Sequence, residues 1–210
     1  MTARTPPVVT VGAPDVVDRV VAALEGGHLV VLPTDTVYGV AARAGDRDGT
    51  DRLFALKGRS VHTPIAVLCA DADQALRLTD PPSRARLALV AARFWPGALT
   101  LVLPRRAGLV LHLGEPETTV GVRVPAHDVV RAVAAGVGPL ATTSANRHGE
   151  PTPPTALEAA ARLGGRVGLV VDGGPLDNPG STVIDTTGST WIVLRHGGVP
   201  SADVLALAGG

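Results

Sequence analysis

Lysine is almost missing from this chain of 210 residues: Lys57 stands alone against eighteen arginines. The nineteen basic residues are matched by nineteen acidic ones, and a net charge of zero argues against a protein that coats nucleic acid. One cysteine, Cys69, excludes an internal disulfide framework and a cysteine-based zinc cluster; it lies in an apolar run, which reads as a buried, inert thiol in a reducing compartment. Two Phe, two Trp and one Tyr leave little for stacking on exposed bases. No apolar run reaches the length of a membrane span, and "MTARTPPVVTVGAPD" has no signal-peptide core, so no membrane association and a cytoplasmic location are expected. Six histidines are scattered without HExxH or similar spacing, so no protein-held metal is expected. A Walker lysine loop, a GxGxxG turn and a GxSxG elbow are all absent, which sets aside P-loop, dinucleotide-binding and serine-triad chemistry.

With 45% apolar and 18% charged residues, the composition is that of a globular protein with a substantial core. Pro14 and Asp15 open a helix whose Val16, Val17, Val20, Val21 and Leu24 recur at three and four until Gly26-Gly27 stop it. Further helices are predicted over 48–58, from "DADQALRLT" with Asp71 as cap, over 83–94, over 126–135, from "TALEAAARLG" and over 201–207. Strands are predicted in "HLVVLPT", "PIAVLCA", "WPGALTLVLP", "TTVGVRVP", "GPLATTSAN", "VGLVVDGG", "STVIDTT" and "WIVLRHG". The uneven alternation and the late run of strands point to a single α/β domain with a twisted mixed sheet and flanking helices. Residues 104–118 and 143–156 are loop-rich and too short for linkers between domains.

Four polar stretches follow apolar strands: "PTDTVYG", "KGRSVHTP", "TSANRHGEP" and "GSTVID", with "LRHGG" behind the last. Open α/β sheets place ligands at such strand ends. Hydroxyls at Thr34, Thr36, Ser144 and Ser181, the Asn146 amide, and cations at Lys57, Arg59, Arg123 and Arg195 would suit a ligand with phosphates and a carboxylate. A drift from Lys to Arg would leave one lysine by chance, and a basic residue near a helix end suits the dipole. Arg would serve there equally; an ammonium differs from a planar fork when it meets an anion as a point charge. Lys57 is therefore read as a solvent-facing site residue.

In order and spacing, "PTDTVYGVAARAGD", "LFALKGRSVHTPIAVL", "FWPGALTLVLP", "TVGVRVPAH", "TTSANRHGEPTP", "STVIDTT" and "VLRHGGV" resemble the YrdC/Sua5 family of L-threonylcarbamoyladenylate synthases. The resemblance runs over about 14–200. It implies a twisted sheet around a concave, positively lined cavity. The activity it implies is a nucleotidyltransferase condensing L-threonine, bicarbonate or CO2 and ATP, carried with Mg2+, to threonylcarbamoyl-AMP and pyrophosphate for the t6A modification of tRNA. By motif position, Lys57 and Arg59 correspond to the catalytic pair. Thr36, Tyr38, Arg123 and Ser144 correspond to threonine contacts; Arg59, Thr63, Thr119, Asn146, Ser181 and Arg195 correspond to ATP contacts. Tyr38 could equally be a core residue with a satisfied hydroxyl.

Thr63 stands where many relatives carry Asn, and Leu68 where some carry His, so no side-chain role is carried over to Leu68. The chain ends at Gly210 without the additional C-terminal domain of the longer Sua5 proteins, as one domain over 1–210. This resembles the short TsaC/YrdC type, whose adenylate passes to a TsaD/TsaB/TsaE transferase complex; direct tRNA contact is left open. With no Asp/Glu cluster apparent, Mg2+ is expected to travel on the phosphates, and a part for Asp35 or Asp185 is open. The competing readings are an RNA-binding or ribosome-associated module without synthase activity, and a carbamoyl-adenylate enzyme of hydrogenase maturation, whose extra domains a 210-residue chain cannot hold.

Overall fold

A computed structural model of the chain describes residues 5–58, 60, 62–146, 149–163 and 166–208. Its centre is a ten-stranded mixed sheet in the order β1-β8-β2-β3-β7-β4-β6-β5-β9-β10. The strands are β1 Val8–Thr10, β2 Val30–Leu32, β3 Gly39–Arg43, β4 Ala66–Leu68, β5 Leu99–Pro104, β6 Thr119–Arg123, β7 Leu140–Ser144, β8 Leu169–Asp172, β9 Thr182–Asp185 and β10 Ile192–Arg195. The helices are α1 Val16–Glu25, α2 Arg47–Lys57, α3 Ala72–Leu76, α4 Pro81–Phe94, α5 Asp128–Val137, α6 Ala156–Leu163 and α7 Ser201–Ala208.

Local chemistry explains the element ends. The Asp46 carboxylate caps α2 by accepting from the Gly49 N–H at 3.1 Å, and Gly58, at φ 57°, ends it in the left-handed conformation. Lys57 is thereby fixed as the last helical residue. Asp71 caps α3 through the Gln74 N–H at 2.6 Å, as its sequence position predicts. Two strands lie outside the sequence-based prediction. The short Val8–Thr10 run becomes edge strand β1 by pairing in parallel with β8. The run Gly39–Arg43 becomes β3, antiparallel to both β2 and β7. Val40, Ala41 and Ala42 are all buried, so β3 shows none of the in-out alternation that marks a strand in sequence.

One face of the sheet is covered by α2, α4, α6 and α7: Leu53, Phe54, Leu87, Val90, Ala159, Leu163 and Val204 pack with Val31, Val40, Val67, Val122, Leu101 and Ile184. On the other face α1 and α5 close a second core over Val9, Val30, Leu32, Ala41, Leu140 and Leu68. That core reaches no farther than Leu68 of β4. Side chains alternate along a strand, so the same face continues through Ala66 of β4, Thr119, Gly121 and Arg123 of β6, Thr100 and Val102 of β5, and Val183 of β9. These residues line a cavity of about 620 Å³.

Candidate active site

Small side chains make the hollow. Ala66 lies opposite Thr142, Gly121 opposite Val102 and Thr100 opposite Val183, so no bulky group stands at the middle of the floor. A Cβ on Gly121 would come within 3.3 Å of the Ala66 Cβ. At one end of the hollow the wall is the turn after β2 with Arg123; at the other, Gly180, Ser181, Leu194, Arg195 and His196 close it.

The turn after β2 is organised by Thr34. Its hydroxyl donates to the Val37 carbonyl at 2.7 Å and accepts from the Thr36 and Val37 N–H groups, each at 3.1 Å. Since a hydroxyl has one hydrogen, Thr36 is left as donor in the 3.0 Å contact between the two hydroxyls. The Thr36 oxygen in turn accepts from Arg123 Nη1 at 2.9 Å. Arg123, buried at the end of β6, also donates from Nε to the Gly97 carbonyl at 3.0 Å and from Nη2 to Asp35 Oδ1 at 2.6 Å. A guanidinium carries five N–H groups, so one on each terminal nitrogen is left for a ligand in the hollow. Burial pushes the Arg123 pKa down, Asp35 pulls it back up, and the charge of Arg195 adds a smaller downward push.

At the opposite wall, Arg195 donates from Nε to the Ser181 carbonyl and from Nη2 to the Ser181 hydroxyl, both at 2.9 Å. That hydroxyl also shares a hydrogen bond of 2.8 Å with Thr100. Gly197 lets the strands meet here: a Cβ would fall 2.2 Å from the Gly180 carbonyl oxygen. Partial burial lowers the Arg195 pKa from the usual arginine value. Among the described residues no carboxylate forms an ion pair with Arg195, whereas Arg123 has Asp35. The two guanidiniums of the cavity are therefore unequally neutralised.

Lys57 departs from its expected solvent-facing position. It is 5% exposed and absent from the described cavity lining. Its ammonium reaches from the end of α2 to the turn after β7, donating to the Ser144 carbonyl at 2.7 Å, to Asn146 Oδ1 at 2.9 Å and to the Asn146 carbonyl. The Ser144 hydroxyl donates to the same Oδ1, and Asn146 Nδ2 donates to the Glu150 carbonyl. Burying an ammonium is costly unless its hydrogens are received, and this turn receives them. Lys57 thus stands behind the cavity wall.

Of the other residues singled out in the sequence, Thr36, Thr63, Thr119, Arg123, Ser144, Ser181 and Arg195 line the hollow. Arg59 lies outside the described residues. Asn146 is buried behind Ser144. Tyr38 is fully buried; its hydroxyl donates to the Gly174 carbonyl at 2.7 Å and accepts from the Gly173 N–H at 3.0 Å, tying the turn to the end of β8. Burial is the main reason its pKa is raised. Leu68 is in the lining as an apolar contact. Thr100, Thr142, Thr143, Thr152 and His196 also line the cavity without having been singled out. Strand threonines are ordinary β-formers, so only the alternation at 142 and 144, or at 100 and 102, could have marked them.

A model of the Sua5/YciO/YrdC family, described as "Telomere recombination", matches residues 22–197. The chain belongs to the Sua5/YciO/YrdC family. A Mycobacterium tuberculosis member is 40% identical over 191 residues, which are 90% of this chain and 87% of that one. The threonylcarbamoyl-AMP synthase of Bacillus subtilis is 37% identical over 192 residues, 90% of this chain but 55% of its own length. The crystal structure of Pyrococcus abyssi Sua5 complexed with L-threonine superposes with a TM-score of 0.87 at 33% identity, over 98% of this chain and 61% of that one. The chain thus spans little more than half the length of these two longer family members.

Proposed function

We propose that this chain is an L-threonylcarbamoyladenylate synthase, a nucleotidyltransferase that joins L-threonine, bicarbonate or CO2 and MgATP and releases pyrophosphate. The observation that carries the reading is the pair of unequally neutralised guanidiniums, Arg123 and Arg195, facing one hollow on an uncovered sheet face. Arg123, with Thr36 against it and Ser144 in the same lining, suits an amino-acid carboxylate; Arg195, with Ser181, suits the more highly charged phosphates. The names of the Bacillus relative and of the threonine complex support the same reading.

In the reaction, the threonine nitrogen, once it has lost a proton, forms an N–C bond with CO2. An oxygen of the resulting carbamate forms a bond to the α-phosphorus of ATP, and the bond to the β-phosphate breaks with pyrophosphate leaving. Negative charge grows on phosphate oxygens, so the chain contributes by positioning and by cationic stabilisation. Arg195, Thr119 and Thr63, all in the lining of the hollow, are assigned to the nucleotide. Lys57 acts from behind the wall, holding Ser144 and Asn146, while Arg59, two positions on in the sequence, is assigned to the phosphates. Among the described residues no group of three or more His, Cys, Asp or Glu forms a metal cluster, and Asp185 Oδ1 accepts from the Thr187 N–H and hydroxyl. Mg2+ enters as part of the substrate MgATP.

We further infer that the product serves t6A formation on tRNA through a separate TsaD/TsaB/TsaE-type transferase complex in the cytoplasm. No helix among the described residues is long and apolar enough to cross a membrane. The test is pyrophosphate release from MgATP and bicarbonate with and without L-threonine, with serine for comparison, and mass detection of the adenylate. Threonine-dependent release with the adenylate present is the expected result. ATP binding without release would overturn the reading and turn attention to RNA binding.

A further inference from the structure

His196 lines the hollow next to Arg195 and is itself exposed, which puts it at the mouth of the cavity. The chain that follows it is fixed to β9. The Gly198 N–H donates to the Gly180 carbonyl at 2.9 Å, the Val199 N–H donates to the Thr182 hydroxyl at 3.2 Å, and that hydroxyl donates to the Val199 carbonyl at 2.5 Å. The ring is held as well: its Nδ1 lies 3.1 Å from the Ser201 hydroxyl, in the first turn of α7. Nε2, on the other side of the imidazole, has no partner among the described residues.

A hydroxyl both donates and accepts, and this decides what Nε2 offers a ligand. When the Ser201 hydroxyl donates to Nδ1, the neutral ring carries its hydrogen on Nε2; when both ring nitrogens are protonated, the hydroxyl accepts and Nε2 again carries a hydrogen. An anion in the hollow selects these two states over the third, which would aim a lone pair at it. No Asp or Glu stands in the described lining, so this donor meets no carboxylate of the chain there. Arg195 has Nε and Nη2 engaged with Ser181, inside the wall, whereas His196 lies beyond the end of β10 with its donor open to what sits nearest the mouth. Of the two halves of ATP, pyrophosphate is the one that must leave through that mouth first. We propose that His196 is a leaving-group contact, donating from Nε2 to the two phosphates that depart as pyrophosphate, with Ser201 as the positioning residue that holds its ring. This rests on the synthase reading and adds to it a residue for the departing half of the nucleotide.

The experiment measures calorimetric binding of inorganic pyrophosphate and of AMP, the two halves of the nucleotide, to the wild-type chain, His196→Ala, His196→Gln and Ser201→Ala. His196→Ala should weaken pyrophosphate binding by roughly 10-fold, the scale of one hydrogen bond to a charged group, and leave AMP binding in place as evidence of an intact hollow. His196→Gln, whose amide donates from about the position of Nε2, should recover part of the loss. Ser201→Ala should weaken pyrophosphate binding too, but should add nothing when His196 is already Ala, because its effect passes through the ring. Unchanged pyrophosphate affinity in His196→Ala would overturn the proposal, and so would a parallel loss of AMP, since the whole wall would then have moved. A wild-type chain that binds AMP but no pyrophosphate would overturn it without any variant. The expected binding pattern in a chain that shows no threonine-dependent pyrophosphate release would sink the synthase reading while supporting the phosphate contact.

Discussion

Lys57 Nζ donates to Asn146 Oδ1 at 2.9 Å across 89 positions of sequence, so the end of α2 and the turn after β7 form one unit. The cavity wall at Ser144 is held from behind by a buried charge, and wall and fold therefore share an anchor. A residue that reads in the sequence as free to be removed without structural cost becomes part of the structure's own support.

Lys57→Ala should lower both activity and stability. It would leave the Ser144 and Asn146 acceptors buried without their donor, at a cost of about 2–4 kcal/mol. Urea unfolding would show this as a lower midpoint at an unchanged slope. Lys57→Arg should fail to restore it, because a planar fork cannot take the place of an ammonium among converging acceptors. An unchanged midpoint in the Ala variant would refute the anchoring role.

Gly197→Ala should be more damaging than its chemistry suggests. The added Cβ would lie 2.2 Å from the Gly180 oxygen and 2.4 Å from the Ser181 carbonyl carbon, and neither backbone can yield without moving β9. A loss above about 3 kcal/mol is expected, with weaker ATP binding because Ser181 and Arg195 shift together. Gly58→Ala is the contrast: nothing lies within 4 Å of its Cβ, and only the φ of 57° is strained, so about 1 kcal/mol is expected. Thermal unfolding of the two variants side by side separates crowding from backbone conformation.

How far the sequence reveals this arrangement depends on whether each feature is local. The cap at Asp71 and the stop of α1 at Gly26-Gly27 are readable because the groups concerned are a few residues apart. The motif order brings Arg123, Ser144, Ser181 and Arg195 to one hollow, and the structure places all four there. Strand β3 escapes because burial on both faces removes its alternation. The burial of Lys57 and Tyr38 escapes for a different reason: their partners lie 87 to 136 positions away, and only the folded sheet brings them together. The neutralisation of Arg123 by Asp35, 88 positions off, is equally invisible to spacing.

Alkaline pH offers a test of the core. Burial, with a smaller push from Asp71 and an opposing pull from Arg77, raises the Cys69 thiol from 9.0 to about 12. In the unfolded chain the proton leaves first, so between these values the unfolded state binds fewer protons. Stability should be unaffected by Cys69 below about pH 9 and should fall above it by about 1.4 kcal/mol per pH unit until the folded thiol ionises. Tyr38, raised in the same direction, adds to the loss at higher pH. Denaturant titrations from pH 8 to 11 should show a shallower decline in Cys69→Ala, and a thiol reagent at pH 8 should label the native protein only as fast as it unfolds. Rapid labelling of the folded chain would contradict the buried position.

The unequal neutralisation of the two guanidiniums predicts unequal kinetics. Arg195→Ala removes a cation that no carboxylate offsets, so it should raise the KM for ATP by roughly 10-fold or more, the scale of a charged hydrogen bond, with little change for threonine. Arg123→Ala should do the reverse, and it should also destabilise the fold, because Asp35 loses its partner and Thr36 its donor. The double variant Asp35→Asn with Arg123→Ala should then recover part of that lost stability while leaving the threonine defect in place, since no carboxylate would be stranded but the Arg123 guanidinium would still be missing from the hollow. Equal effects of the two single variants on both substrates would mean that the cavity does not divide its ligands between Arg123 and Arg195, and the assignment of each wall would have to be abandoned.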